Sequence, residues 1–357
     1  MRGSPDMIEV PGAPPVEGLR FRRFEGDADY ATMSRLGGRS FEADGIDYFE
    51  TEEDLRHDFQ ESPSRDPYAE VIFAEVKGTP VACARTWIDP GDGGEFEYWH
   101  AVHLVPEWRK TELRRALLRY NERQIVARAR GAGVKGALLC KLWALDEPSD
   151  WRALVISEGY TAVLFFYEMV RRDLDDIPDA PFPEGLEVRP AEPSEYPKIW
   201  SASKEAFRGK PWFVEALYGK EQFDSWASSP ENTPELWRVA WDSAEIAGMA
   251  RNDIPRDQNR AYGRSRGHTQ HLSVMPKWRR RGLGRALMAE SLRMMRDMGL
   301  KEASLDVETQ STTGEVDLYL SMGYEINRKY AHFAKHLTER GLRGERGRKL
   351  NSPELPM

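Results

Sequence analysis

The chain has 357 residues, of which 40% are hydrophobic and 31% charged, with a formal net charge of −8. That length suits about two domains. No run approaches the roughly 20 apolar residues that span a bilayer, and Met1–Pro15 lacks the apolar core of a secretory leader. The two cysteines, Cys83 and Cys140, form neither a disulfide framework nor a zinc motif. The acidic balance tilts against non-specific nucleic-acid binding and towards a cationic or amine partner. These features lead us to expect a cytoplasmic protein with no metal and no membrane or nucleic-acid partner.

In chain order, residues 1–17 read as a flexible N-terminus. A domain over 18–172 follows, beginning "GLRFRRFEGDADY" (Gly18–Tyr30), with "PEWRKTELRRALL" at Pro106–Leu118 and "SEGY" at Ser157–Tyr160. "RDLDDIPDAPFPEG" (Arg172–Gly185) has three prolines, five acids and no apolar periodicity, so 173–184 reads as a linker. A second domain over 185–338 then repeats the first. "GLEVRPAEPSEY" begins at Gly185, "PKWRRRGLGRALM" at Pro276, and "SMGY" at Ser321, at offsets of 167 (185 − 18), 170 (276 − 106) and 164 (321 − 157). Between Val105–Leu118 and Met275–Met288, seven of fourteen positions are identical. Ordered correspondences with slowly drifting offsets mark a duplication, and the unit is far too long for a solenoid repeat. Residues 339–357 form a charged tail with few apolar residues, expected to be disordered.

In the second copy Leu186–Ala191 is a short strand, and Tyr196–Phe207 and Trp212–Trp226 are helical. Leu236–Ile254 is a hairpin turning near Asp242–Glu245. His268–Pro276 is a strand ended by proline. Gly282–Gly299 carries apolar residues at helical period and closes on Gly299. Ala303–Thr309 is a strand, Thr313–Gly323 a helix and Tyr324–Leu337 a closing hairpin. This order defines an α/β unit with a mixed sheet.

Between the strand end at Pro276 and the helix beginning near Gly282, the free N–H groups of a first helical turn make an anion site. Gly282 and Gly284 remove the Cβ atoms that would hold a phosphate away, and Arg279, Arg280, Arg281 and Arg285 charge the rim. A pyrophosphate suits this arrangement; the bland alternative is a solvated basic loop. No Gly-Lys-Ser/Thr follows, which disfavours ATP, and Leu287 stands where a dinucleotide fingerprint needs its third glycine. Coenzyme A is the remaining common pyrophosphate carrier.

"V-x-P-x-W-R-x-x-G-x-G-x-A-L" (Val274–Leu287) and "TTGEVDLYLSMGYE" (Thr312–Glu325) together resemble the signature of the GNAT superfamily of acyl-CoA N-acyltransferases. Arg279-x-x-Gly282-x-Gly284 matches that family's phosphate loop. Leu318, Tyr319, Gly323 and Tyr324 match its second motif. The resemblance implies two tandem GNAT-like α/β domains, each a mixed, mostly antiparallel sheet flanked by helices. It implies an N-acetyltransferase, monomeric or a weak homodimer, that transfers an acetyl group from acetyl-CoA to a primary amine of a small molecule. The phosphate site would comprise Arg279, Arg280, Arg281, Gly282, Leu283, Gly284 and Arg285. The resemblance also implies that the strand bearing Val274 splays from its neighbour near that residue, with backbone N–H groups at Ser273 and Val274 holding the thioester oxygen. Tyr319 would protonate the leaving thiolate. Ser311 stands where the family usually has asparagine.

The glutamate common on the Val274 strand, four to six residues earlier, is absent: Gln270 and His268 hold those positions. His268 is the candidate base, a strand-end surface histidine being the other reading, with Asp306 and Glu308 as rivals. A non-catalytic coenzyme A-binding protein is the alternative function. The aromatics of Phe207–Trp226 either line the acceptor site or pack helices. In the first copy Glu112 and Arg114 replace the two glycines and Val155 replaces the tyrosine, so that copy is expected to bind coenzyme A poorly or not at all, and either to serve the second as sheet or pocket wall or to have diverged with no role beyond stability.

Overall fold

The computed structural model describes residues 8–60, 65–91, 95–229, 232–310 and 314–338. Ser311, the tail over 339–357 and the first seven residues lie outside them. The first copy comprises β1 (Leu19–Arg23), α1 (Ala28–Ala43), α2 (Glu52–Gln60), α3 (Pro67–Glu70), β2 (Val71–Val76), β3 (Thr79–Pro90), β4 (Phe96–Leu104), α4 (Leu113–Gly131), β5 (Leu138–Leu145), α5 (Asp150–Ser157) and β6 (Thr161–Arg171). The second comprises β7 (Glu187–Arg189), α6 (Tyr196–Phe207), α7 (Lys220–Ser228), β8 (Arg238–Asp242), β9 (Glu245–Asp253), α8 (Arg256–Tyr262), β10 (Arg266–Val274), α9 (Leu283–Asp297), β11 (Glu302–Glu308), α10 (Glu315–Ser321) and β12 (Glu325–Leu337).

The strands form one continuous mixed sheet in the order β1-β2-β3-β4-β5-β12-β6-β11-β10-β9-β8-β7. The two last strands are exchanged. β6, from the first copy, lies antiparallel to β11 of the second. β12, from the second, lies antiparallel to β5 of the first. β6 and β12 pair with each other at the centre. The expected hairpin over Tyr324–Leu337 is therefore wrong. The segment carries no glycine, proline or asparagine pair to fold back on, and it runs unbroken because β5 and β6, both of the first copy, pair with its two edges. Lys335 of β12 reaches into the first copy, and its Nζ donates to Glu122 Oε1 at 2.7 Å. The linker packs too: Leu174 and Ala180 are buried in the second copy's core with Met288 and Leu292.

Most other elements fall where the pattern put them, with local differences. Trp212–Trp226 is not one helix. Gly219 interrupts it, leaving a 3-10 turn at Glu215–Tyr218 before α7. The helix α8 carried no periodic signal strong enough to be anticipated. The helix expected over Thr313–Gly323 is the shorter α10, and Thr313 is outside the described residues. α9 lays Leu283 and Leu287 against Ala240, Ala247 and Ala250, while Met288, Leu292 and Met295 pack with Leu305 and Tyr319. The apolar stripe of one helix thus joins the sheet to α10 and fixes the floor of the site.

Candidate active site

β10 and β11 are parallel neighbours only from Arg266↔Glu302 to Thr269↔Leu305. Beyond Thr269 they part, because β10 carries a bulge at Gln270: Thr269 opposes Asn252 and His271 opposes Arg251. A bulge bends its strand and ends local pairing. The splay thus opens at Gln270, four residues earlier than expected. On the far side of β10 the N–H of Met275 donates to Ala247 O. Strand alternation then turns the Ser273 N–H towards β9 as well, and those of Leu272 and Val274 into the gap. Of the two expected oxyanion donors, Val274 has its amide in the gap.

The helix α9 begins at the mouth of this gap. Its first residue, Leu283, is 1% exposed and anchors the turn from beneath. Arg280 (φ +59°) and Gly282 (φ +84°) are left-handed, which curls the loop around the helix start and explains glycine at 282. Gly282 makes no side-chain cap, so the first-turn amides stay open to a ligand. Gly284 has an ordinary helical φ. A Cβ there would meet Val274 Cγ2 at 3.6 Å and Leu318 Cδ2 at 3.7 Å, which the protein itself could tolerate. The missing methyl instead keeps open the passage between the end of β10 and α10.

Arg280, Arg281 and Arg285 are exposed around this turn, with the Arg281 guanidinium 5.0 Å from the Trp278 ring centre. Arg279 is used differently. Its Nε donates to Val274 O at 3.1 Å and its Nη2 to Ala206 O at 2.9 Å, tying the loop to β10 and α6. These residues fit a diphosphate on physical grounds: an uncapped helix start, a glycine-lined approach and exposed cations. Among the described residues no group of His, Cys, Asp or Glu could hold a metal ion.

Tyr319, on α10, is 6% exposed, and among the described residues its hydroxyl has no partner. Burial, and secondarily Glu315, push its phenol well above the usual value, so it is protonated at neutral pH and able to donate. On the opposite face of the splay lies a cavity of about 640 Å³. His268 and Gln270 of β10, Ser304 and Asp306 of β11, Glu168 of β6 and Tyr330 of β12 line it, and the first copy's Ile46–Tyr48 and Asp54 close it. Burial lowers His268 from its ordinary value, against Asp253 and Glu168, so its imidazole is neutral at pH 7. Desolvation among the cavity walls and then Glu168 raise Asp306 to about 7. Glu308 is 6% exposed, does not line the cavity, and accepts from the Gln310 N–H.

His268, the candidate base, thus lies in the cavity and the loop at the mouth of the splay. The bulge at Gln270 has a signal only in the register, and a strand exchange delivers Glu168 and Tyr330 to the cavity. The Phe207–Trp226 aromatics do not line the cavity. Trp226 stacks on Trp237, while Trp200 lies tilted against Trp226 and Phe207 against Trp212, the packing alternative.

The splayed pair, the open helix start and the buried phenol together define an acyl-CoA-type acyltransferase site. A model of the acetyltransferase (GNAT) family matches residues 196–324. The mycothiol acetyltransferase of Salinispora arenicola is 30% identical over 309 residues, 83% of this chain and 89% of that one. That of Thermobifida fusca is 28% identical over 274 residues, 71% and 78%. A GCN5-related N-acetyltransferase of Sphaerobacter thermophilus shares the fold with a TM-score of 0.68 at 23% identity, covering 91% of this chain and 96% of that one. So does a tandem GNAT protein from the clavulanic acid biosynthesis pathway, at 0.64 and 13%, covering 89% and 98%. The chain belongs to the GNAT acetyltransferase family and is an N-acetyltransferase, and that family uses acetyl-CoA. No helix among the described residues is long and apolar enough to cross a membrane.

Proposed function

We propose that the second copy transfers the acetyl group of acetyl-CoA directly to a primary amine of a small molecule held in the cavity between the copies. The observation that carries the reading is the open, uncapped start of α9 at the mouth of the splay. Bound there, acetyl-CoA supplies an activated acetyl thioester. The amides of Gly282–Arg285, with Arg280, Arg281 and Arg285, hold the diphosphate. The Val274 N–H, and that of Leu272, face the thioester oxygen and stabilise its developing charge. His268 takes a proton from the acceptor's ammonium, for which a neutral imidazole is required. Tyr319 gives its proton to the departing thiolate and is reprotonated by the second N–H proton that the acceptor nitrogen loses on becoming an amide. The reaction releases one proton overall.

The cavity walls favour a cationic acceptor. Seven carboxylates (Asp47, Glu53, Asp54, Glu168, Asp253, Asp257 and Asp306) face four arginines (Arg256, Arg264, Arg266 and Arg328). The amine precursor of mycothiol is the first acceptor to try, given the relatives' names. The reading also places the enzyme in the cytoplasm, as a monomer or weak homodimer with no nucleic-acid or membrane partner. Calorimetry with acetyl-CoA and a thiol-release assay over an amine panel test it. One acetyl-CoA should bind per chain and at least one amine should turn over. Tight binding with no transfer to any amine favours the alternative of a coenzyme A-binding protein without catalysis, and no binding at all overturns both.

A further inference from the structure

The base, as proposed above, is His268, but a lone histidine in a cavity does not determine which nitrogen is free or where the proton goes next. The structure addresses both. His268 Nδ1 lies 3.0 Å from Ser304 Oγ. Ser304 Oγ in turn donates to Gly267 O at 3.5 Å. A hydroxyl hydrogen directed to that carbonyl leaves the Ser304 oxygen to accept, the arrangement in which His268 carries its hydrogen on Nδ1. Nε2 is then an acceptor, and it faces Asp306, whose Oδ2 is 3.9 Å away. Asp306 Oδ1 accepts from the Tyr330 hydroxyl at 3.2 Å. The Asp306 side chain is 44% exposed and opens into the cavity.

We propose that His268 and Asp306 form a proton relay for the acceptor amine, with Ser304 fixing the histidine tautomer and Tyr330 of the exchanged strand orienting the aspartate. This rests on the acetyl-transfer reading of the same site. One N–H bond of the acceptor's ammonium breaks and one forms at His268 Nε2. The resulting imidazolium passes that proton to the Asp306 carboxylate, directly after a small ring movement or through one water, and the cavity returns it to solvent. His268 is neutral again and no co-reactant is consumed. His268 is the catalytic residue; Ser304, Asp306 and Tyr330 act through it.

The groups facing Asp306 set its ionisation. Glu168 of β6 opposes it across the strand pair and raises it. Tyr330 of β12 lowers it through its hydrogen bond. His268 and Arg266 stand on β10, and Arg328 of β12 is occupied with Glu168 at 3.1 Å. The relay runs only with Asp306 ionised, so activity rises with pH through a limb near 7. Removing the Tyr330 hydroxyl moves that limb to higher pH, and removing the Glu168 charge moves it to lower pH.

Imidazole ¹⁵N and carboxylate ¹³C titrations of the full chain, assigned with His268→Gln and Asp306→Asn, test this without any acceptor. The expected results are a neutral Nδ1–H His268 at pH 7 that loses this preference in Ser304→Ala, and an Asp306 midpoint near 7. That midpoint should shift up in Tyr330→Phe and down in Glu168→Gln. With an active amine the pH limb of kcat should move in the same two directions, and Asp306→Asn should lower kcat about tenfold with the KM for acetyl-CoA unchanged. An Nε2–H tautomer, an Asp306 midpoint near 4, or a wild-type pH profile in Asp306→Asn overturns the relay. Failure of the acetyl-transfer reading shows differently, as absence of acetyl-CoA binding whatever the titrations give.

Discussion

The two copies present the same helix start to solvent and treat it in opposite ways. In the second, Gly282 leaves the first turn of α9 uncapped and Gly284 leaves its passage empty. In the first, the Leu113 N–H of α4 is bonded to Thr111 Oγ1 at 3.3 Å. Arg114, the counterpart of Gly284, is 7% exposed and fills the corresponding passage. Its Nη2 donates to Val102 O at 3.3 Å, and its guanidinium lies 4.1 Å from the Trp151 ring centre with Asp44 beside it at 3.9 Å. The gap between β4 and β5 is closed as well. His100 is bonded to Tyr160, and Tyr160 to Glu122. Burial, then Lys335, hold His100 at about 3, so that chain of polar groups is neutral at its histidine. The second copy leaves its helix start open where the first satisfies and fills its own, which is the basis for proposing that the second binds the donor and the first supports it.

The contrast can be broken most severely by transplanting the plug. Gly284→Arg should weaken acetyl-CoA binding by about 100-fold or more, about 2.7 kcal/mol, read by calorimetry. Undiminished affinity would show that the passage beside Gly284 is not the route of the donor. Tyr319→Phe should lower kcat by about 100-fold and leave acetyl-CoA affinity as it was. The reverse change, Val155→Tyr, should add neither a second bound acetyl-CoA nor any rate. Lys335→Met strands the buried Glu122 and should cost about 3 kcal/mol in urea unfolding. Combining it with Glu122→Gln should restore part of that loss. The mildest change separates the two reasons for a glycine. Gly284→Ala should stabilise α9 by about 0.5–1 kcal/mol, because its Cβ meets only ordinary contacts, while still weakening acetyl-CoA measurably. A stability gain with unchanged affinity would mean that glycine at 284 serves no ligand.

Much of this was legible in the residues, for a physical reason. A helix start that must stay open needs glycine at 282 and 284, and a duplicated core keeps Trp108, Leu113, Ala116 and Leu117 in place. Periodicity placed α9 because its apolar stripe is buried on the sheet, and β11 because its short apolar run is buried on both faces. What stayed hidden depends on pairing. Gln270 looks like any strand residue until its register slips past β9. Nothing in Tyr324–Leu337 says that its neighbours come from 138–145 and 161–171, since alternation specifies a buried face and not which strands flank it. Glu168, Tyr330 and the first copy's wall enter the cavity only through that exchange. Arg279 read as a ligand because its type suits phosphate, yet it ties the loop to Val274 and Ala206.

The crossed strands also decide what can be separated. A cut between 172 and 185 would leave an active half whose β11 has lost its neighbour and a silent half whose β5 has lost its own, each exposing a raw sheet edge. Neither piece should be soluble alone, and the two expressed together should find each other and regain activity. Drift could therefore erase the chemistry of the amino-terminal copy but not the copy itself, because its partner's sheet is finished with its last eleven residues.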